Sequence, residues 1–280
     1  MQIIRTVHEL REQTRAQRYK ADTIGIVPTM GALHAGHASL IHAAREQCGC
    51  VVVSIFVNPT QFGPNEDYAR YPRTFDADCA LAKAEGADII FAPSVEELYP
   101  AGAATFVEVE GLSNRLDGGS RPGHFRGVTT VVSKLLIATE ADRAFFGQKD
   151  GAQVAVVRRM VKDLRLPAEI VVCPIVREPD GMAMSSRNAY LSGEERRQAL
   201  VLSRSVREAE SLVAGGEHRG DALIAAARSV FAAEPAVRVD YIELVNWATL
   251  LPVETASPGT LFAVAAWVGT TRLIDNTIIA

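Results

Sequence analysis

The sequence predicts an α/β protein, a Rossmann-like doubly wound parallel sheet followed by a smaller C-terminal α+β domain. Three observations carry that prediction. Short β-branched runs alternate with helix-periodic segments up to about residue 176. Beyond that point the order changes to two helices first and strands afterwards. The composition, 48% hydrophobic and 22% charged over 280 residues, is that of an ordinary folded chain.

The elements follow in order. The N-terminal stretch MQIIRTVHELREQTRAQ has the spacing of an amphipathic helix. TIGIVPT at 23–29, VVVSIFV at 51–57, ADIIFAP at 87–93, RAFFG at 143–147 and EIVVCP at 169–174 read as strands. Helices are predicted at ASLIHAAREQ after the first strand, DADCALAKAEG before the third, TTVVSKLLIATE before the fourth and GAQVAVVRRMVKDL after it. Such sheets bind ligands beyond the carboxyl ends of their strands. In the second half, SGEERRQALVLSRSVREAESLVAGG and RGDALIAAARSVFAA read as charged amphipathic helices, and VDYIELVN, TLFAVAAWV and RLIDNTII as strands of an antiparallel sheet. The turn formers Pro179, Asp180 and Gly181 put the boundary within VREPDGMAMSSRN, giving domains 1–176 and 177–280.

Composition also excludes. A net charge of -4 argues against a surface that neutralises many nucleic-acid phosphates, although a local cationic pocket for a small anion remains open. Cys48, Cys50, Cys79 and Cys173 fit neither a disulfide framework nor a paired CxxC zinc site, and read as reduced thiols. The N-terminus lacks the continuous apolar stretch of a secretory signal, and runs such as LFAVAAWV are too short to span a bilayer. The cytoplasm, with no membrane partner, is the default expectation.

Two stretches stand out chemically. In PTMGALHAGHASLIHAA, His34 and His37 lie three apart where a strand gives way to a helix. Residues at that spacing share a helix face, and a helix N-terminus with its unsatisfied N–H groups is an anion site. The same dipole favours the neutral imidazole, so each ring acts as an N–H donor able to stabilise charge developing on a phosphate. The plainer reading is that the histidines cap or pack the helix. In MSSRN at 184–188, Ser185, Ser186 and Arg187 offer two hydroxyls and a forked cation to phosphate oxygens, a combination also found in ordinary solvated loops.

HAGH at 34–37 resembles the HIGH motif, and MSSRN a divergent KMSKS loop, of the nucleotidylyltransferase superfamily. More closely, the chain resembles the pantoate-beta-alanine ligase family through PTMGALHAGH, VSIFVNPTQF at 53–62, YPRT at 71–74, RPGHFRGV at 121–128, FFGQKD at 145–150 and VREPDGMAMSSRN at 176–188. The resemblance implies ATP-dependent condensation of pantoate with beta-alanine through a pantoyl adenylate, releasing AMP and pyrophosphate. It places ATP against Met30, Gly31, Ala32, Leu33, His34, Ala35, Gly36 and His37. Gly147, Gln148, Lys149, Asp150, Val176, Met184, Ser185, Ser186 and Arg187 complete that set. His37, His34 and Lys149 are implied as catalytic. Gln61, Gln153 and Met30 match the pantoate contacts, Asn58 lies towards beta-alanine, and Arg121 and Tyr71 are implied to close over substrate, the latter two with a structural alternative.

The chain departs from the family pattern at Gln148, where glutamate is common, and at Ala152, where the first of two glutamines would stand. Ala183 replaces the first lysine of a true KMSKS, as in the family, leaving phosphate charge to Lys149 and Arg187. The sequence shows no acidic cluster for a metal cage, consistent with Mg²⁺ carried by phosphate oxygens and water. A hydrolysable adenylate calls for a lid, with GPNEDYARYPRTFDAD at 63–78 and the C-terminal domain as candidates. The family implies a homodimer. Two alternatives stay open on sequence alone: another HIGH-type nucleotidylyltransferase or carboxylate-activating ligase, and a nucleotide sensor without turnover.

Overall fold

The computed structural model describes residues 1–20, 22–64 and 66–279. Asn65, within the expected lid segment, and Ala280, at the end of the expected second domain, lie outside the described residues.

The chain folds into two compact units. The first comprises Met1–Gly147 and Val156–Cys173, and is built on a six-stranded parallel sheet. Its strands are β1 (Gln2–Ile4), β2 (Ile24–Thr29), β3 (Cys50–Ile55), β4 (Ile89–Phe91), β5 (Arg143–Gly147) and β6 (Glu169–Cys173), in the spatial order β1-β4-β3-β2-β5-β6. Five of the six were legible as apolar runs. The sixth, β1, pairs Gln2, Ile3 and Ile4 with Ile89, Ile90 and Phe91 in a segment whose spacing suggested helix alone. Three residues are too few to show a period, and α1 (Val7–Arg18) begins immediately after the N-cap Thr6, so the helical signal dominated the window.

Helices α1, α2 (Ala35–Gln47), α3 (Phe75–Ala84), α4 (Val95–Leu98), α5 (Asp117–Ser120) and α6 (His124–Thr139) connect and cover these strands. The central strands are buried almost throughout, as a parallel sheet covered on both faces demands: Ile24, Ile26, Val27, Val51, Val52 and Val53 are all fully buried. The chain winds from β2 through β3 to β4 in one direction, then returns to add β5 on the other side of β2. The order reverses at β2 and β5, and the carboxyl ends of that pair are where a doubly wound sheet opens its ligand crevice. The loop beginning at Met30 leaves β2 there, and β5 ends there at Gly147.

The second unit comprises Gln148–Ala155 and Pro174–Ala280. Helix α7 (Gly151–Asp163) therefore begins in the second unit and ends in the first. An antiparallel sheet of β7 (Val237–Asn246), β8 (Thr260–Val268) and β9 (Thr271–Ile278), with β8 central, packs against α8 (Gly193–Ala214) and α9 (Gly220–Ala232). Val201, Val206, Leu223, Phe262 and Val264 form the centre of this core, all fully buried. Helix α8 starts on a Ser-x-x-Glu capping box, in which Ser192 Oγ accepts from Glu195 N at 3.2 Å and Glu195 Oε2 accepts from Ser192 N at 2.8 Å. All four cysteines are free thiols, three of them buried; burial pushes Cys50 up to about 12, far from a reactive thiolate.

Candidate active site

The loop leaving β2 is held in a conformation the chain would not choose alone. Gly31 has φ 83° and Ala32 φ 50°, two successive left-handed residues, the second carrying a side chain that makes this costly. Asp78, in the first turn of α3 and only 2% exposed, fixes them. Its carboxylate accepts from Ala32 N at 3.0 Å, Leu33 N at 2.8 Å and Thr74 Oγ1 at 3.0 Å. From the strand end, Thr29 Oγ1 donates to Ser54 O at 2.6 Å and accepts from Gly31 N at 3.2 Å. A Cβ added at Gly31 would lie 3.0 Å from Asp78 Oδ2, and at φ 83° any side chain is strained, so the position favours glycine. Neither Asp78 nor the Thr29–Ser54 pair had a distinctive sequence signal: an aspartate in a first helical turn is ordinary dipole chemistry.

The two histidines follow directly. His34 stands just outside α2 as its N-cap, with φ -138° and ψ 179°, rather than inside the first turn. Its Nδ1 accepts from Gly36 N at 3.1 Å, while Nδ1 of His37 accepts from the His34 N–H at 3.3 Å. The pair thus builds a reciprocal capping box with imidazoles in place of the usual hydroxyl and carboxylate. The ring centroids are 4.1 Å apart, tilted by 40°. Capping and donation do not compete here. An Nδ1 that accepts from a backbone N–H carries no proton, so the neutral ring bears its N–H at Nε2.

A second cluster in the same unit surrounds Gln61. Asn58, 1% exposed, donates from Nδ2 to Gln61 Oε1 and to Gly127 O, both at 3.1 Å, and its Oδ1 accepts from Tyr99 Oη at 2.9 Å. Gln61 Nε2 lies 3.0 Å from Met30 Sδ, which brings two of the expected pantoate contacts together. Gly127, near the start of α6, allows this turn to seat: a Cβ there would fall 2.3 Å from Thr60 O. Tyr71 is buried and packs edge-on against Phe62 at 6.0 Å. Arg121 donates to both carboxylate oxygens of Glu66, at 2.9 and 2.5 Å, and to Gln61 O at 3.3 Å, and its Nη1 lies 3.0 Å from His124 Nε2. Burial raises the Glu66 carboxyl, but the Arg121 hydrogen bond and charge outweigh it and hold the group below the usual range. A cavity of about 310 Å³ opens beside Met30 and Gly31, walled by Phe56, Val57, Arg73 and Phe75.

The remaining predicted residues belong to the second unit, apart from Gly147 at the end of β5. Gln148, Lys149 and Asp150 form a single 3-10 turn before α7. Asn276 Nδ2 donates to Gln148 O at 3.0 Å and Lys149 O at 2.8 Å, fixing that turn to β9. Lys149 Nζ lies 3.2 Å from Asp150 Oδ1. The amide of Gln148 donates to Asn276 Oδ1 at 3.4 Å, a neutral contact compatible with the departure from glutamate. Gln153 is half-buried in the first turn of α7.

In the loop after β6, Arg177 and Ala183 form an antiparallel bridge, and Met184 N donates to Val176 O at 3.0 Å. Ser185 caps the 3-10 turn Ser186–Tyr190 by accepting from Arg187 N at 3.3 Å. Asn188 Nδ2, on Glu178 Oε1 at 2.7 Å and Ala183 O at 3.1 Å, staples the loop from inside. Asp275, 2% exposed, takes a two-pronged ion pair from Arg177 at 2.7 and 3.0 Å. Among the described residues no group of three or more histidine, cysteine or acidic side chains is arranged to hold a metal ion.

Comparison with known proteins bears on this arrangement. The sequence model of the pantoate-beta-alanine ligase family matches residues 2–278. Pantothenate synthetase of Acidobacterium capsulatum is 60% identical, across 98% of this chain and 95% of its own length. The enzyme of that name from Thermotoga petrophila is 54% identical, with 100% of both chains covered. Among solved structures, pantothenate synthetase from Thermus thermophilus superposes with a TM-score of 0.94 at 45% identity, over 100% of this chain and 99% of that one. Pantoate-beta-alanine ligase from Francisella tularensis, complexed with beta-gamma ATP and beta-alanine, gives a TM-score of 0.81 at 35% identity, over 99% and 97%.

Proposed function

The chain belongs to the pantoate-beta-alanine ligase family, and from that premise we propose how its residues carry the reaction. It is an ATP-dependent ligase that joins pantoate to beta-alanine, releasing AMP and pyrophosphate. In the first step the pantoate carboxylate attacks the α-phosphorus of ATP in line, the bond to the β-phosphate breaks, and pyrophosphate leaves. In the second, the neutral amine of beta-alanine attacks the acyl carbon, a C–N bond forms as the acyl C–O bond to the α-phosphate breaks, AMP departs, and the nitrogen gives up one proton to solvent.

Two anions must be held together in the first step, so the protein's contribution is positioning and electrostatics. The observation that carries this reading is the histidine capping box, in which both Nδ1 atoms serve the backbone and the ring N–H groups fall on Nε2. In our reading His34 and His37 donate those N–H groups to ATP phosphate oxygens. Lys149, Ser185, Ser186 and Arg187 supply further donors and charge, and the 30–37 backbone, Gly147, Gln148, Asp150, Val176 and Met184 hold the nucleotide. Pantoate sits against Met30, Gln61 and Gln153, with Asn58 towards beta-alanine. Asp150 is the one acidic side chain in this set and the other donors are basic or neutral, so a Mg²⁺ would be held mainly by phosphate oxygens and water; bound that way, it would lower the charge on the leaving pyrophosphate. We further propose a cytoplasmic homodimer; no helix among the described residues is long and apolar enough to cross a membrane.

Pyrophosphate exchange tests the reading. Exchange of labelled pyrophosphate into ATP should require pantoate and proceed without beta-alanine. Exchange driven instead by an amino acid, or none with any acid, overturns it. His37→Ala or Lys149→Ala should slow single-turnover adenylate formation by about 10²-fold or more, the scale of losing a transition-state donor. Near-normal adenylation in either variant removes that residue from the chemistry.

A further inference from the structure

His124 has its tautomer decided by its neighbours. Its Nδ1 lies 2.8 Å from Gln61 O, which can only accept, and its Nε2 lies 3.0 Å from Arg121 Nη1, which can only donate. The ring is therefore neutral, with its proton on Nδ1 and directed at the Gln61 carbonyl. Arg121 adds a second donor to that carbonyl at 3.3 Å. The guanidinium is in turn held by the two oxygens of Glu66. These groups are withdrawn from solvent: His124 is 9% exposed, and the side chains of Arg121 and Glu66 are 16% and 25% exposed.

The bonds tie the β3–α3 connection, which supplies Gln61 and Glu66, to the start of α6, which supplies His124. Four of the five N–H groups of Arg121 are engaged by protein atoms. Gln61 is thereby fixed twice, through its side chain by Asn58 and through its carbonyl by His124 and Arg121. Rotation of the Gln61 peptide would carry its amide away from Met30, and displacements of about 1 Å in a positioning group are enough to be felt in turnover.

We infer that Glu66, Arg121 and His124 form one positioning relay that sets the orientation of Gln61, and so the affinity for the hydroxy acid, by acting on its backbone. The inference rests on the assignment of Gln61 to pantoate made above. His124 and Glu66 are positioning residues in this scheme, and Arg121 acts on substrate through Gln61.

Steady-state kinetics on the full-length enzyme test it, with each substrate varied in turn. Glu66→Gln and His124→Leu should raise the pantoate KM about tenfold while the ATP KM and kcat move by no more than about twofold, the pattern of lost ground-state and transition-state binding alike. His124→Gln, which keeps one donor and one acceptor, should recover most of the loss. Combining Glu66→Gln with Arg121→Lys should raise the pantoate KM no more than the worse single change, since the groups act as a unit. Should His124→Leu fail to fold, Glu66→Gln and its combination with Arg121→Lys decide the matter. An unchanged pantoate KM in folded Glu66→Gln, or an equal rise for all three substrates, overturns the relay. If the wild-type enzyme itself shows no pantoate-dependent AMP formation, the functional reading falls first and the relay with it.

Discussion

At the residue scale, the histidines show how a structural role and a chemical role share one side chain. His34 caps α2 through Nδ1, and an asparagine there offers an acceptor of similar reach but no N–H in the place of Nε2. His34→Asn should therefore keep the thermal stability of the wild type while slowing adenylate formation by about 10²-fold; His34→Ala should lose the rate and about 1 kcal/mol of stability as well. Calorimetry beside single-turnover kinetics separates the two. His124 makes a different statement. Burial first, and then the neighbouring Arg121 charge, bring it down to about 4 from 6.5. Between those pH values the unfolded chain binds a proton that the folded chain refuses. Stability contributed by the neutral ring is complete above pH 6.5, falls as pH drops towards 4, and totals on the order of 3 kcal/mol. Glu66, held below its usual range, adds a loss of the same sign that begins nearer the ordinary carboxyl value of 4.5. Urea unfolding against pH should show this slope, and His124→Gln should flatten it between pH 6.5 and 4.

At the scale of elements, the β2–α2 loop carries the energetic tension. Two left-handed residues in succession are tolerated because Asp78, on α3, satisfies the N–H groups that the loop exposes inward. Asp78→Ala removes the acceptor that the part-buried N–H groups of Ala32 and Leu33 share, and should destabilise the protein by about 2 kcal/mol while also lowering the adenylation rate, because the capping histidines sit directly downstream. Loss of stability with full activity would mean that the loop does not position the histidines. The sequence made the strand, the glycine and the histidines legible through apolar runs and a local motif. It could not reveal Asp78, since the partner lies 46 residues away in sequence and resembles any acid at a helix start. The Asn58–Gln61 turn is similar: its own composition reads as a turn-rich connection, and its rigidity comes from Gly127, Tyr99 and His124, brought in from outside the turn.

At the scale of the molecule, the α/β and α+β halves were read from the order of elements, and each has its own core. The observed units interleave: Gln148–Ala155 clusters with the C-terminal unit although Val156–Cys173 belongs to the first. The reason is visible in β9, whose Asn276 holds the carbonyls of Gln148 and Lys149, and in Trp247, whose Nε1 donates to Gly151 O at 2.8 Å. A homodimer would appear in sedimentation as a species of twice the 30.2 kDa chain mass; a single 30.2 kDa species at micromolar concentration contradicts it. What the sequence determined by itself were the features that repeat locally: the apolar strand runs, the helical periods, the glycine-flanked histidine motif and the family pattern that names the substrates. What only the tertiary structure decided were the partners that fix those features, Asp78 on the loop, His124 and Arg121 on Gln61, Asn276 on the lysine turn. Periodicity and motif spacing are properties of neighbours along the chain, whereas a buried polar group is satisfied by whichever residue the fold brings within about 3 Å of it.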